Sequence, residues 1–219
     1  MQTSKSNPKV LLAVPNGRGW IHKHVHFATM KLMQDRRVDT KHICPTHSPY
    51  VNNLHLIQKD FLAGDYDYLL TMDDDNPPTK NVYDLIELDK DVMVFPTPVW
   101  HNSVPGDRPF YHNVMIEKGE GYIPLQDSEH FRGVGLYEID AGGSGCMLIA
   151  RRVLEALKAP FMRIWNEDGT VEYGGDFSFC KRAKEAGFSI WTHLDYPCLH
   201  FKEIELTEVI QSIMSITDA

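Results

Sequence analysis

The segment "DYLLTMDDDNPPT", residues 67–79, runs from an apolar stretch directly into three consecutive aspartates and then two prolines. "YLLTM" predicts a short buried strand. Asp73, Asp74 and Asp75 repel one another, so a chain that needed only to end a strand has little reason to place them there. Carboxylates at a strand end are hard oxygen ligands suited to Mg²⁺ or Mn²⁺. A bound divalent cation would relieve their repulsion and offer open positions to phosphate oxygens.

The flanking sequence sets this strand in a repeating pattern. "KVLLAVP", residues 9–15, is a continuous apolar run ended by Pro15, as expected of another buried strand. "NGRG" then turns the chain, and residues 20–34 predict a helix through Ile21, Val25, Ala28, Leu32 and Met33. A second strand is expected at "VDTKHICP". A helix is expected over 51–63, where Leu54, Ile57, Phe61 and Leu62 recur at helical spacing and Gly64 stops them. After the triplet, "TKNVYDLIELDK" predicts a short helix and "DVMVFPTPV" another buried strand. This alternation predicts an α/β fold with a mostly parallel central sheet flanked by helices. In such sheets ligands sit beyond the carboxyl ends of the strands, which is where the triplet falls.

Residues 100–133 are rich in Trp, His, Pro and Gly and lack periodicity, so a long lid or binding loop is expected there. "AGGSGCMLIARRVLEAL" reads as a Gly-rich turn, a strand and a helix, and "RIWNEDGTVEY" as a hairpin about Asp168-Gly169. "DFSFCKRAKEAG" predicts a helix ended by Gly187, and "FSIWTHL" a further strand. Residues 204–219 form an amphipathic C-terminal helix in this reading, through Ile204, Leu206, Val209, Ile210, Ile213 and Met214. It would pack on the domain or on a second copy in a homodimer.

Composition narrows the class. The 219 residues are expected to form one domain over 1–219, with 1–8 as a frayed tail. With 42% hydrophobic and 24% charged residues, the chain is neither disordered nor fibrous. No apolar run approaches the roughly 20 residues of a membrane span, and the N-terminus lacks the apolar core of a secretory signal. A cytoplasmic protein is expected. The net charge of −8 provides no basic footprint, which makes a nucleic-acid acceptor unexpected. Cys44, Cys146, Cys180 and Cys198 contain no C-x-x-C pair and read as reduced thiols.

Several phosphate-binding patterns fail. "PNGRGW" lacks the Gly-Lys-Ser/Thr of a P-loop, and Ile21 and His22 stand where a dinucleotide fingerprint needs its third Gly. A haloacid-dehalogenase-type motif fits Asp73 and Asp75, but Pro77 occupies its usual Thr or Val position, and the triplet lies well inside the chain.

"YLLTMDDDNPP" instead resembles the Asp-x-Asp region of GT-A glycosyltransferases, family-2-like enzymes especially. "EYGGDFSFCKRAKEAGFSIW" is similar to that family's second signature, with Asp176, Cys180, Arg182, Ala183 and Gly187 in step. "GGSGCMLIARRVLEAL" resembles its Gly-rich element, and "PCLHFK" places His200 where many members have a late metal-binding histidine. These motifs keep the family's order over roughly residues 10–202. Gly175 departs from the usual Glu beside Asp176, Ser178 from the second acid, and Asn52-Asn53 from an Arg-Asn pair.

The resemblance implies a sugar transfer from a nucleoside-diphosphate donor, UDP first and GDP second, with Mn²⁺ or Mg²⁺ as cofactor. It implies Asp75 as the direct metal ligand, Asp73 as a ribose or metal partner, Asp74 as a supporting acid and His200 completing the coordination. Pro15, Asn16, Gly17, Arg18 and Asn53 would belong to the donor side. Asp176 would be the general base of an inverting displacement, although an Asp just before a helix also suits an N-cap. Gly143, Ser144, Gly145 and Gly175 would let the acceptor approach the backbone. Trp100, His101 and Trp165 would offer faces to sugar rings. His22 and His26, four residues apart, read as a solvated helix face. A sugar nucleotidyltransferase and a catalytically silent nucleotide- or sugar-binding module are the alternatives.

Overall fold

The computed structural model describes residues 6–17, 19–47, 50–100, 110–119, 121–203, 207, 210, 211 and 214, with Tyr50 and Trp100 described through their backbone alone. Seven strands make the central sheet: β1 (Lys9–Ala13), β2 (Asp39–Ile43), β3 (Tyr68–Met72), β4 (Val92–Val94), β5 (Leu136–Ile139), β6 (Cys146–Ala150) and β7 (Ile190–His193). Their spatial order is β2-β1-β3-β6-β4-β7-β5. β1, β2, β3, β4 and β7 run in one direction, while β6 and the edge strand β5 oppose them.

The strands sort their side chains by parity. Val10 and Leu12 of β1 join one apolar cluster with Leu70 and Met72 of β3, while Leu11, Ala13 and Leu69 join the other, as the two-residue strand period requires. Each fully buried Leu stabilises the fold by about 1.5–3 kcal/mol. The second cluster is covered by α2 (Tyr50–Ala63), α3 (Arg151–Ala156) and α4 (Gly175–Glu185). The first is covered by α1 (Lys23–Met33) and a 3₁₀ segment, Val82–Leu88. Helices therefore sandwich a sheet that is apolar on both faces.

Side chains tie the helix ends to neighbouring backbone. Gln58 Nε2 donates to the carbonyls of Leu154 (3.3 Å) and Leu157 (3.0 Å) at the end of α3. Arg151 Nη1 donates to Gly64 O (2.9 Å) and Tyr66 O (3.0 Å) just past α2, and its Nη2 to Leu62 O (3.3 Å), a carbonyl that the last turn of α2 leaves open.

Several expectations require correction. The helix predicted over "TKNVYDLIELDK" is the 3₁₀ segment Val82–Leu88, begun by Asn81, whose Oδ1 accepts the Tyr83 N–H (3.1 Å). "DVMVFPTPV" is not one strand: β4 stops before Pro96, and Pro98–Trp100 pairs separately with Phe110–His112. The region read as a long loop is largely strand from residue 110. Val114–Lys118 pairs with Gly121–Pro124 and with Ala141–Gly142. Edge strand β5 went unanticipated, since its four residues are too few for a readable alternation. The expected hairpin is present, Ile164–Trp165 pairing with Val171–Tyr173. Of the C-terminal segment, Thr207, Ile210, Gln211 and Met214 are described, all helical, with Ile210 and Met214 more than half exposed. No helix among the described residues is long and apolar enough to cross a membrane.

Candidate donor and metal site

β2 lies on one side of β1 and β3 on the other, so their carboxyl ends open a crevice at the point where the strand order reverses. Pro15, Asn16 and Gly17 leave β1 there. The Asn16 N–H donates to Pro45 O (2.9 Å) in the segment that leaves β2, and Asn16 Oδ1 accepts the Gly19 N–H (2.8 Å). Asn53, in the first turn of α2, is fully buried and accepts the His47 N–H through Oδ1 (2.6 Å), and its Nδ2 has no partner among the described residues. Cys44 belongs to the same neighbourhood. Burial and then the negative charge of Asp74 push its thiol pKa up, against a hydrogen bond from Asn16.

The aspartate triplet is held by its backbone. The Asp73 N–H donates to Gly145 O (2.8 Å), and Asp74 O accepts the His22 N–H (2.8 Å). Asp75 is closed in by the segment after β7, which runs antiparallel to it. Phe201 N–H donates to Asp75 O (3.0 Å), Leu199 N–H to Pro77 O (2.9 Å) and Thr79 N–H to Pro197 O (2.9 Å). Residues two apart on an extended segment share a side, and this register brings both His200 and Lys202 to Asp75. The opposite side carries Phe201, whose ring stacks on His22 with centroids 3.8 Å apart and on His24 at 5.1 Å. His22 is thus no part of a solvated helix face: it caps α1 and packs against Phe201.

His200 Nε2 stands 4.0 Å from Asp75 Oδ2, and Lys202 Nζ stands 2.7 Å from the same oxygen. His200 Nδ1 lies 2.6 Å from Pro98 O. A carbonyl can only accept, so Nδ1 carries a proton, and in the neutral imidazole Nε2 is the nitrogen left to bind a cation beside Asp75. This is the arrangement that orients a metal-binding histidine. The 4.0 Å gap is no wider than two metal–ligand bonds of about 2.0–2.2 Å. Among the described residues no group of three or more His, Cys, Asp or Glu forms a cation cage. Mg²⁺-type sites commonly need none, taking one or two carboxylates beside substrate phosphates and water. Asp75 is such a carboxylate, and His200 adds an imidazole of the kind first-row divalent ions accept.

Asp176 sits in the first turn of α4, and the helix cap is Gly174, so the N-cap role expected of the aspartate is not the one it plays. Its Oδ1 accepts the Phe177 N–H (2.9 Å), and the residue is part-buried. The two glycines before it make room for the chain itself. A Cβ on Gly175 would lie 2.8 Å from Phe161 O, so the Glu of the resembling signature has no space here without a backbone shift. The Gly-rich turn behaves likewise: a Cβ on Gly143 would meet the Asn113 amide at 2.2 Å, and one on Gly145 the Asn76 amide oxygen at 2.7 Å. Ser144 between them is part-buried. This turn links the two acidic positions, since Cys180 Sγ of α4 approaches Gly142 O (3.7 Å) while Gly145 O holds Asp73.

Arg18, His101 and the Trp100 side chain lie outside the described residues. Trp165 is 56% exposed on its hairpin. Lys202 was not anticipated, although the alternation in "HFK" carried the signal. A groove of about 470 Å³ beside the site is lined by Phe27, Pro77, Pro78 and Leu199 rather than by the acids or His200.

No family model matches the sequence, and no curated protein does. Solved structures do resemble it. The protein A197 from STIV superposes with a TM-score of 0.58 at 18% identity, covering 89% of this chain and 86% of that one. GalNAc-T7, solved with UDP, GalNAc and Mn²⁺, superposes with a TM-score of 0.54 at 13% identity, covering 90% of this chain and 44% of that one. The chain has the GT-A, nucleotide-diphospho-sugar transferase fold.

Proposed function

We propose that this protein is a metal-dependent glycosyltransferase of the family-2-like GT-A type. It moves a sugar from a nucleoside-diphosphate donor, UDP first and GDP second, to an acceptor hydroxyl. The observation that carries the reading is the Asp75–His200 pair, a buried carboxylate and an imidazole with its Nδ1–H committed to Pro98 O, 4.0 Å apart at the carboxyl end of a parallel strand. The GalNAc-T7 likeness supports the same donor chemistry.

Mn²⁺ or Mg²⁺ held by Asp75 and His200, with Asp73 beside them, would neutralise charge on the departing diphosphate. The nucleotide side is assigned to Pro15, Asn16, Gly17 and Asn53, and by the sequence resemblance alone to Arg18. Asp74, whose carbonyl anchors His22, keeps the crevice wall in place. Asp176 accepts the acceptor's hydroxyl proton as that oxygen attacks the anomeric carbon, on the face opposite the leaving diphosphate, which inverts the centre. The acceptor side is assigned to the turn of Gly143, Ser144 and Gly145 and to Gly175, and by the sequence resemblance alone to Trp100 and His101.

A thermal-shift panel of UDP, GDP, CDP, ADP and TDP, each with Mn²⁺ and with chelator, tests the donor assignment. A ligand at about 100 times its Kd adds roughly 2.7 kcal/mol, or about 5–11 °C for a chain of this size. Stabilisation by one nucleotide, and only with metal, is expected. A flat response to all five would remove the assignment.

A further inference from the structure

Asp75 and Lys202 are unequal partners. The Asp75 side chain is 4% exposed and that of Lys202 is 49% exposed. A carboxylate so buried needs a cation beside it, whereas a half-exposed lysine on a flexible stem has solvent to move into. The ammonium stands 2.7 Å from the carboxylate oxygen that His200 Nε2 faces across 4.0 Å. A divalent ion entering between Asp75 and His200 therefore meets a charge of its own sign already bound to one of its ligands. In a site that also receives a diphosphate, the displaced ammonium has an anion to go to.

We propose that Lys202 is a resident counter-cation that exchanges places with the metal. Without donor it neutralises Asp75. When donor and metal enter together, Asp75 and His200 take the metal and the ammonium moves onto the diphosphate. This rests on the donor-site reading above. The anomeric C–O bond then breaks with its electron pair on the diphosphate oxygen. A new bond forms to the acceptor oxygen, and the acceptor proton passes to Asp176. Lys202 counters the charge that develops on the leaving group.

The test is Mn²⁺ binding, read from the electron paramagnetic resonance of the free ion, for the full chain and its Lys202→Met and Lys202→Arg variants. Each is titrated without nucleotide and with UDP, or with GDP if only that one binds. Without nucleotide, Lys202→Met is expected to bind Mn²⁺ about tenfold more tightly than wild type, because one repelling charge has gone. With Mn²⁺ saturating, it is expected to bind the nucleotide about tenfold more weakly. Lys202→Arg should stay near wild type in both. A variant that merely folds badly would weaken both titrations, so the opposite signs are diagnostic. Unchanged or weaker Mn²⁺ binding by Lys202→Met, or unchanged nucleotide binding, overturns the exchange while leaving the donor reading intact. Failure of wild type to bind either nucleotide with Mn²⁺ overturns both.

Discussion

Asp75, at the end of β3, lies behind the crossing segment Pro197–Lys202, with 4% of its side chain exposed and an ammonium at 2.7 Å. Asp176, in the first turn of α4, is part-buried, and its Oδ1 accepts the neighbouring Phe177 N–H. Both are strand- or helix-end carboxylates in the same Gly-rich neighbourhood, yet their surroundings suit different work. A carboxylate removed from water is stable only while a cation accompanies it, which suits a residue meant to bind metal. One that keeps access to solvent can gain and lose a proton during a reaction. Asp35 supplies a third case: Arg37 grips it through Nε (3.0 Å) and Nη2 (2.6 Å), a forked pair that Nη2 also ties to Asp84 (2.8 Å).

The comparison breaks first on turnover. Asp176→Asn should lower sugar transfer by about 10²–10⁴-fold, the range of a lost general base, with donor binding within about twofold of wild type. Isothermal titration beside a transfer assay reads both, and wild-type turnover would return Asp176 to a purely structural role. Next comes Asp75→Asn, expected to reduce Mn²⁺-dependent nucleotide affinity by at least about 100-fold, since outer partners of metal ligands alone cost 10–100-fold. The same titration checks it, and an unchanged affinity would detach the metal from the triplet.

The smallest effect sharpens the contrast with Asp35. Hydrogen bonding to Arg37 is the largest influence on this carboxyl and holds its pKa well below the usual carboxylate range, with Asn81 adding to it. A folded-state pKa below the unfolded value of about 3.9 adds stability that is complete above that value and is lost as pH falls below it. Wild type should therefore exceed Asp35→Asn in urea denaturation by less than about 1 kcal/mol at pH 6, because Arg37 is mostly exposed. The gap should close below about pH 4. A gap that widens in acid would contradict the fixed-pair reading.

Much of this architecture was legible from local pattern. The strands at 9–13 and 68–72 and the helices at 23–33 and 50–63 match the predicted segments to within a few residues, because burial on one or two faces writes a period into neighbouring residues. The ribbons at 110–124 were missed because Pro, Gly and His interrupt a pattern whose strands are only three to five residues long. Gly175 read as an opening for a ligand, and the structure fills that space with Phe161 O. Nothing near Gly175 in the chain announces a residue fourteen positions earlier.

The sequence by itself determined that three aspartates end a buried parallel strand at the sheet's carboxyl edge, because strand burial and strand ending depend on adjacent residues. Only the tertiary structure decided which groups meet Asp75. His200 and Lys202 reach it through the backbone register between residues 75–79 and 197–201, and Pro98 sets the tautomer of His200. Those contacts join segments separated by more than a hundred residues. Hydrogen-bond register and packing establish them once the chain has closed, and no local period records them.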